Sequence, residues 1–541
     1  MCCTYATQQQ QGDVDVEETV SEKHEHAAAT TTTKRRIYLD VHSPQFRTIF
    51  HYWLEFSPSS SKSIQIVPRN ENAVDGTTTN NNMFVEKTLT IALTFIQRHN
   101  TEHFCNIVSS LQSTNSIFAI KLRADNDFYS QAQHMEAQGL DLTPGNISNL
   151  PNFLMCPVDK ETGALVVHKT GMGSSAALVT SLVGALLRYF DVISLPTAST
   201  VAVDDENISY GIKIVHNLSQ LCHSIAQGKV GSGFDVSSAV YGNHAYTRFD
   251  QALLAHVLMS NNDDDHDNDN HQDEDGTKYN AAEKLYAVVT DMNSWDCTVQ
   301  PMHLPKGVDL LMADVCGGSE SPSMARKILK WKRERVNCDD DNEDLWEGLR
   351  RGNDDVWQCL QSIARNCTQA QQGNGCILGG NREFGLQISK MNVEQWRTIV
   401  RSHGSDASNN NFSANELSIL SNIVKLSDTL RSNRLKLKCM GEAADNVPVE
   451  PDEQTKLADA TMEVDGVIAC GVPGAGGHDA LFVLYVQGES TDDEKSDVVR
   501  DAIAELWRSY SSCSDELKIC PLSVRCAEEE WGGIRESALE W

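Results

Sequence analysis

No stretch of this sequence is long and uncharged enough to cross a bilayer. Its most apolar run, Ala176 to Phe190, meets Arg188 before it could span the hydrocarbon core. Positive charge is scarce: 45 Lys and Arg stand against 75 Asp and Glu, a formal net charge of -30. That balance disfavours nucleic acid or an anionic membrane as the main partner, and an anionic substrate would need a local basic pocket. CxxC pairs are missing although the chain holds 16 cysteines. With no signal-peptide pattern at its start, the thiols are expected to be reduced and the protein cytoplasmic. A Walker A loop is missing as well, because no Gly-Lys-Ser/Thr tripeptide closes a GxxxxG frame. The acid-rich run Asn261 to Gly276 lacks the ligand spacing of an EF-hand and reads as a solvated insertion.

What is there reads as a globular α/β chain. At 541 residues, two domains are expected. Residues 1–35, rich in Gln, Thr and Ala with acids throughout, read as a low-complexity disordered tail. Order is expected from the alternating strand at IYLDVHS, giving an N-terminal domain over 36–260, the acidic insertion over 261–280 and a C-terminal domain over 281–541. Periodicity predicts helices at Phe84 to Ile96 and Glu206 to Gln227, the second with Ile208, Ile212, Val215, Leu218, Cys222 and Ile225 on one face. Strands are predicted at Ser116 to Leu122, Ala164 to His168, Leu285 to Thr290 and Val308 to Val315.

Three glycine-rich turns carry the chemistry. In KTGMGSSAAL (Lys169 to Leu178), Gly171 and Gly173 permit backbone closed to other residues, and the turn opens onto an apolar helix. Free N–H groups and the positive dipole end make such a helix start a phosphate cradle, with Ser174 and Ser175 adding hydroxyls. The second turn is KVGSGFDV (Lys229 to Val236) and the third GVPGAGGHDA (Gly471 to Ala480). A site holding more than one phosphate group needs several such turns, although glycines also gather wherever strands meet helices.

KTGMGSSAAL resembles the second, phosphate-binding motif of the GHMP kinases. GKVGSGFDVSSAVYG, LPKGVDLLMADVCGGSESPSM and the stretch Glu450 to Ala480, with HSPQF, DNDFYSQ and PLSVR, narrow the likeness to the eukaryotic phosphomevalonate kinase family. The resemblance implies an α/β (α+β) two-domain GHMP kinase fold, with a ribosomal-protein-S5-like N-terminal domain and a split βαβ C-terminal domain. It implies transfer of the ATP γ-phosphoryl group to 5-phosphomevalonate, with Mg²⁺. Lys169 would bridge donor and acceptor oxygens, and Asp235 would face the acceptor as base or orienter. Thr170, Gly171, Met172, Gly173, Ser174, Ser175 and Ala176 would hold the nucleotide, with the Ser175 hydroxyl on Mg²⁺. Gly231, Ser232, Gly233, Gly474, Ala475, Gly476 and Gly477 would hold the substrate, Asp479 would lie beside the third turn, and Asp125 to Tyr129, Ser319 and Glu320 would border the site. The family's SAPGK and GGYLVL segments are not found in this sequence. That departure sets beside the main expectation a truncated or catalytically weakened homologue that binds nucleotide or partners without turnover, or another GHMP small-molecule kinase.

Overall fold

The computed structural model of the chain describes residues 2–9, 35–57, 64–69, 82–197, 206–255, 281–315, 321–335, 343–369, 378, 381–402, 412–474, 476–488, 497–513, 518–522 and 532–536. The chain divides into two units, each mixing helices with sheet as the α/β class requires. Unit 1 holds Met1–Ala124, Gly173–Met302 and Glu529–Trp541; unit 2 holds Asp125–Met172 and His303–Glu528.

Unit 1 is built on a five-stranded sheet. The strands are β1 (Cys2–Gln9), β2 (Arg35–Ser43), β3 (Thr48–Phe56), β4 (Gln65–Pro68) and β5 (Ser116–Arg123), in the order β1-β5-β2-β3-β4. β2 and β5 run parallel and the remaining pairs antiparallel. Alternation along β2 buries Ile37, Leu39 and Val41 on one face. Three helices, Met83–His99, Ser174–Tyr189 and Glu206–Gln227, pack on one another. They share a core of Leu89, Leu93, Val179, Leu182, Val183, Ile212, Val215 and Leu218 with the sheet. The helix expected over Glu206 to Gln227 forms with those bounds. A C-terminal segment returns to unit 1: the Ile534 N–H donates to the Val240 carbonyl at 2.9 Å, and Arg188 pairs with Glu536 at 3.0 Å.

Unit 2 holds a four-stranded antiparallel sheet of β8 (Val308–Asp314), β9 (Val467–Gly471), β10 (Ala480–Val486) and β11 (Cys520–Leu522), ordered β11-β8-β10-β9. The helices Asp452–Met462 and Val498–Cys513 cover it through Leu457, Ile503 and Trp507. Two long helices, Glu343–Gln369 and Ala414–Ala443, pack together beside it. The second starts at a capping box in which Ser413 and Glu416 satisfy each other's backbone N–H groups.

Several expectations give way. β1 lies inside the stretch read as a disordered tail: its backbone pairs with β5 over the full register Cys2↔Arg123 to Gln9↔Ser116, satisfying groups an unpaired edge would leave bare. Residues 281–302, expected in the C-terminal domain, group with unit 1. Leu285 and Val289, four apart, bury into its core as a helix over Ala281–Thr290, and packing overrides the strand propensity read there. The strand β7 (Thr298–Pro301) pairs with β6 (His244–Thr247). Residues 125–172, expected in the N-terminal domain, group with unit 2, where the short Pro144–Ser148 helix contacts β11. Ala164 to His168 forms no strand; Leu165 makes only an isolated bridge to Val158. The acidic insertion falls outside the described residues. Among those described, no helix is long and apolar enough to cross a membrane.

One face of the Glu206–Gln227 helix is polar and still buried. His216, Gln220, His223 and Gln227, spaced four, three and four, form a single stripe, and the first three are at most 5% exposed. His216 bonds to Asn217 Oδ1 at 3.0 Å and to Gln220 Nε2 at 3.2 Å, within a ring of Tyr241, Tyr246 and Trp295. Burial lowers its pKa to about 4; the Asn217 hydrogen bond opposes this in part, and His244 adds a smaller push downward. Since the folded pKa lies below the unfolded 6.5, the unfolded chain binds more protons in the interval between them. Stability from this group is whole above pH 6.5 and is lost as pH falls toward 4, on the order of 3 kcal/mol at most. His216→Gln should therefore show a flatter dependence of unfolding midpoint on pH across that window. Parallel curves for variant and wild type would reject the assignment.

Candidate phosphate-binding site

The first turn begins in unit 2 and ends in unit 1, the boundary falling between Met172 and Gly173. In unit 2 it is braced by the DNDFYSQ segment. Lys169 forms an antiparallel bridge with Tyr129, the Ser130 N–H donates to the His168 carbonyl at 2.8 Å, and the Thr170 hydroxyl donates to the Asp127 carbonyl at 2.6 Å. Thr170 is fully buried while Lys169 beside it is exposed. The backbone under the lysine is thus fixed and its ammonium faces solvent. Asp125 to Tyr129, expected to border the site, provides this clamp.

In the same unit the third turn lies against the first. A Cβ on Gly171, whose φ is +76°, would sit 3.3 Å from the Asp479 Cβ. The turn itself hangs on the segment before the Asp452–Met462 helix: the Gly477 N–H donates to the Val449 carbonyl at 2.9 Å and the Gly476 N–H to the Pro473 carbonyl at 3.2 Å. Gly474, Gly476 and Gly477 all have positive φ, a backbone that glycine adopts without the cost a side chain would bring. Ala475, Ser319 and Glu320 lie outside the described residues.

In unit 1 the second half of the first turn meets the second turn. The Ser174–Tyr189 helix starts from Gly173 at φ 74° and the Phe234–Tyr241 helix from Gly233 at φ 71°, both left-handed and neither with a side-chain cap. The first start keeps its orphan N–H groups for an anion, whereas at the second the Phe234 N–H donates to Ser232 Oγ at 3.4 Å. They are neighbours, since a Cβ on Gly173 would lie 3.4 Å from the Asp235 Cβ. Asp235 sits in the first turn of its helix, with Oδ1 accepting from the Val236 N–H at 2.9 Å. Gln220 Nε2 donates to the Gly233 carbonyl at 2.7 Å, and a Cβ at Gly233 would strike that amide. Ser232 is exposed and Gly231 half-buried ahead of it. Ala176 and Met172, expected to line the nucleotide, are buried and half-buried respectively.

Sequence reasoning missed one member. His223 Nε2 lies 3.1 Å from the Ser175 hydroxyl, 3.0 Å from Gln227 Nε2 and 3.9 Å from Asp235 Oδ2. Burial lowers its pKa, Asp235 opposing and Lys229 adding to the shift, which keeps the ring neutral near pH 7. The signal was the polar stripe itself, on a helix read only for its apolar face.

Among the described residues, no group of three or more His, Cys, Asp and Glu side chains is placed to cage a metal. Magnesium carried on a nucleotide needs less, one or two carboxylates with phosphate oxygens and water. Ser175 Oγ and the Asp235 carboxylate, on turns that meet, are hard oxygen donors of that kind.

No family model matches the chain. Known proteins do. It is 30% identical over 513 residues to a phosphomevalonate kinase of Aspergillus fumigatus, covering 92% of this chain and 81% of that one. It is 31% identical over 470 residues to a phosphomevalonate kinase of Gibberella zeae, covering 86% and 78%. To a peroxisomal phosphomevalonate kinase of Arabidopsis thaliana it is 30% identical over 382 residues, covering 69% and 66%. With two glycine turns meeting in unit 1, the first and third meeting in unit 2, and this similarity along most of its length, the chain belongs to the phosphomevalonate kinase family.

Proposed function

We propose that the chain transfers the γ-phosphoryl group of ATP to the phosphate of 5-phosphomevalonate, releasing ADP and 5-diphosphomevalonate. The bond from the γ-phosphorus to the bridging oxygen breaks as an acceptor phosphate oxygen bonds to that phosphorus. The observation that carries this reading is the uncapped helix start at Gly173 with the second glycine turn and Asp235 beside it. Such a pair of turns suits a chain of phosphates better than a single anion.

In this reading the backbone of Gly171 to Ala176 with Ser174 and Ser175 holds the nucleotide, Gly231 to Gly233 holds the acceptor, and Gly474 to Gly477 is a further candidate for the acceptor. Ser175 and Asp235 would hold a Mg²⁺ ion carried on the nucleotide, which would supply neutralisation of the triphosphate charge. Lys169 stabilises charge moving between donor and acceptor oxygens. The acceptor, with a second pKa of about 6, is already ionised near neutrality. Asp235 therefore orients rather than deprotonates. The cytoplasm is the compartment that fits the cysteines, since nine of the described ones are free thiols.

An acceptor panel tests the reading. ADP release with ATP and Mg²⁺ should depend on 5-phosphomevalonate and not on mevalonate, homoserine or galactose. Release with one of the alcohols instead would assign another small-molecule kinase activity, and ATP binding without release a protein that holds nucleotide without turnover.

A further inference from the structure

His223 is a buried titratable side chain that phosphoryl transfer as described does not use. Its ring is seated against Phe84, with centroids 5.7 Å apart, and it projects from the polar stripe of the Glu206–Gln227 helix. One atom, Nε2, faces three partners from three elements: Ser175 Oγ on the first turn's helix, Asp235 Oδ2 on the second turn's helix, and Gln227 one helical turn along. Gln220, three residues before it on the same face, grips the Gly233 carbonyl. The stripe thus touches both phosphate turns of unit 1.

Resting on the phosphotransferase reading above, we propose that His223 is a positioning residue that fixes the Ser175 hydroxyl. When the single Nε2 lone pair, which also faces the Gln227 amide, takes the serine O–H, both lone pairs of Oγ turn away from the ring and toward the phosphate side. Without that acceptor, the hydroxyl is free to turn back and bond a backbone carbonyl of its own helix, the usual habit of a serine inside a helix. The stripe therefore sets the direction of one oxygen donor and the spacing between the two turns.

Two amide substitutions separate this role from simple core filling. Glutamine places a polar atom near the position of Nε2, whereas asparagine, one methylene shorter, does not reach Ser175. Both keep the buried site polar. His223→Asn should lower kcat or MgATP affinity by about ten- to a hundredfold, the usual cost of losing a residue that orients a ligand. His223→Gln should recover most of that loss at a similar Tm. In a Ser175→Ala background, His223→Asn should add less than about twofold, because the group it positions is gone. Equal impairment of the Gln and Asn variants, or a full additional loss in the Ser175→Ala background, would overturn the proposal. MgATP affinity is measured by calorimetry apart from turnover, so an inactive wild type would refute the acceptor assignment while this coupling would still be read.

Discussion

Lys169→Ala should lower kcat by roughly a hundredfold or more while ATP affinity falls far less. The expectation rests on how the lysine is held. Its backbone is pinned to Tyr129, and the next residue, Thr170, is buried with its hydroxyl on the Asp127 carbonyl. The side chain emerges from that rigid base into solvent, one turn ahead of an uncapped helix start. In a chain with net charge -30, an ammonium so placed supplies local positive charge for a triphosphate against an unfavourable global field. Interactions made mainly in the transition state show in kcat rather than in binding. Lys169→Arg should retain part of the rate, because it keeps the charge but changes its geometry. Single-turnover kinetics alongside calorimetric ATP binding checks both, and an unchanged kcat in Lys169→Ala would retire the role.

Gly476→Ala should disrupt the third turn, lowering Tm and weakening acceptor binding together. At φ +81° the backbone is left-handed, and a Cβ would lie 2.1 Å from the Val449 carbonyl oxygen and 2.8 Å from its carbon. That carbonyl is the one accepting from Gly477, so relieving the clash breaks the anchor of the turn. Strain and overpacking together cost about 2–5 kcal/mol. Gly474→Ala is the control. Its φ is +66° but a Cβ would meet nothing within 4 Å, which leaves only a left-handed penalty of about 1–2 kcal/mol. Thermal unfolding of the two variants should rank them clearly. Equal Tm values would mean the Val449 contact does not hold the turn.

Local pattern made much of this molecule legible. The Glu206–Gln227 helix was readable because its apolar residues recur at helical spacing over 22 positions. β8 was readable from a short apolar run set between turns. The three turns were readable because only glycine supplies those backbone angles in series. What escaped depends on contacts distant in sequence. The pairing of Cys2–Gln9 with β5 is decided by a vacant strand edge more than a hundred residues away. Within the Ala281–Thr290 helix, the stretch Leu285 to Thr290 is rich in residues that favour strands, and the helix is set by where Leu285 and Val289 pack. The interleaving of residues 125–172 and 281–302 between units follows from such contacts and leaves no mark on composition. His223 escaped for another reason. A polar residue on an apolar helix reads as solvated until its neighbours show it to be buried.

The central claim is that a phosphate, rather than an alcohol, accepts the phosphoryl group. Phosphorus NMR of the reaction of wild-type protein with ATP, Mg²⁺ and 5-phosphomevalonate tests it most directly. The account expects two new, mutually coupled resonances of a diphosphate ester, growing in step with ADP and about a hundredfold more slowly in Lys169→Ala. A phosphate signal that stays a single uncoupled monoester while ATP is consumed would contradict it.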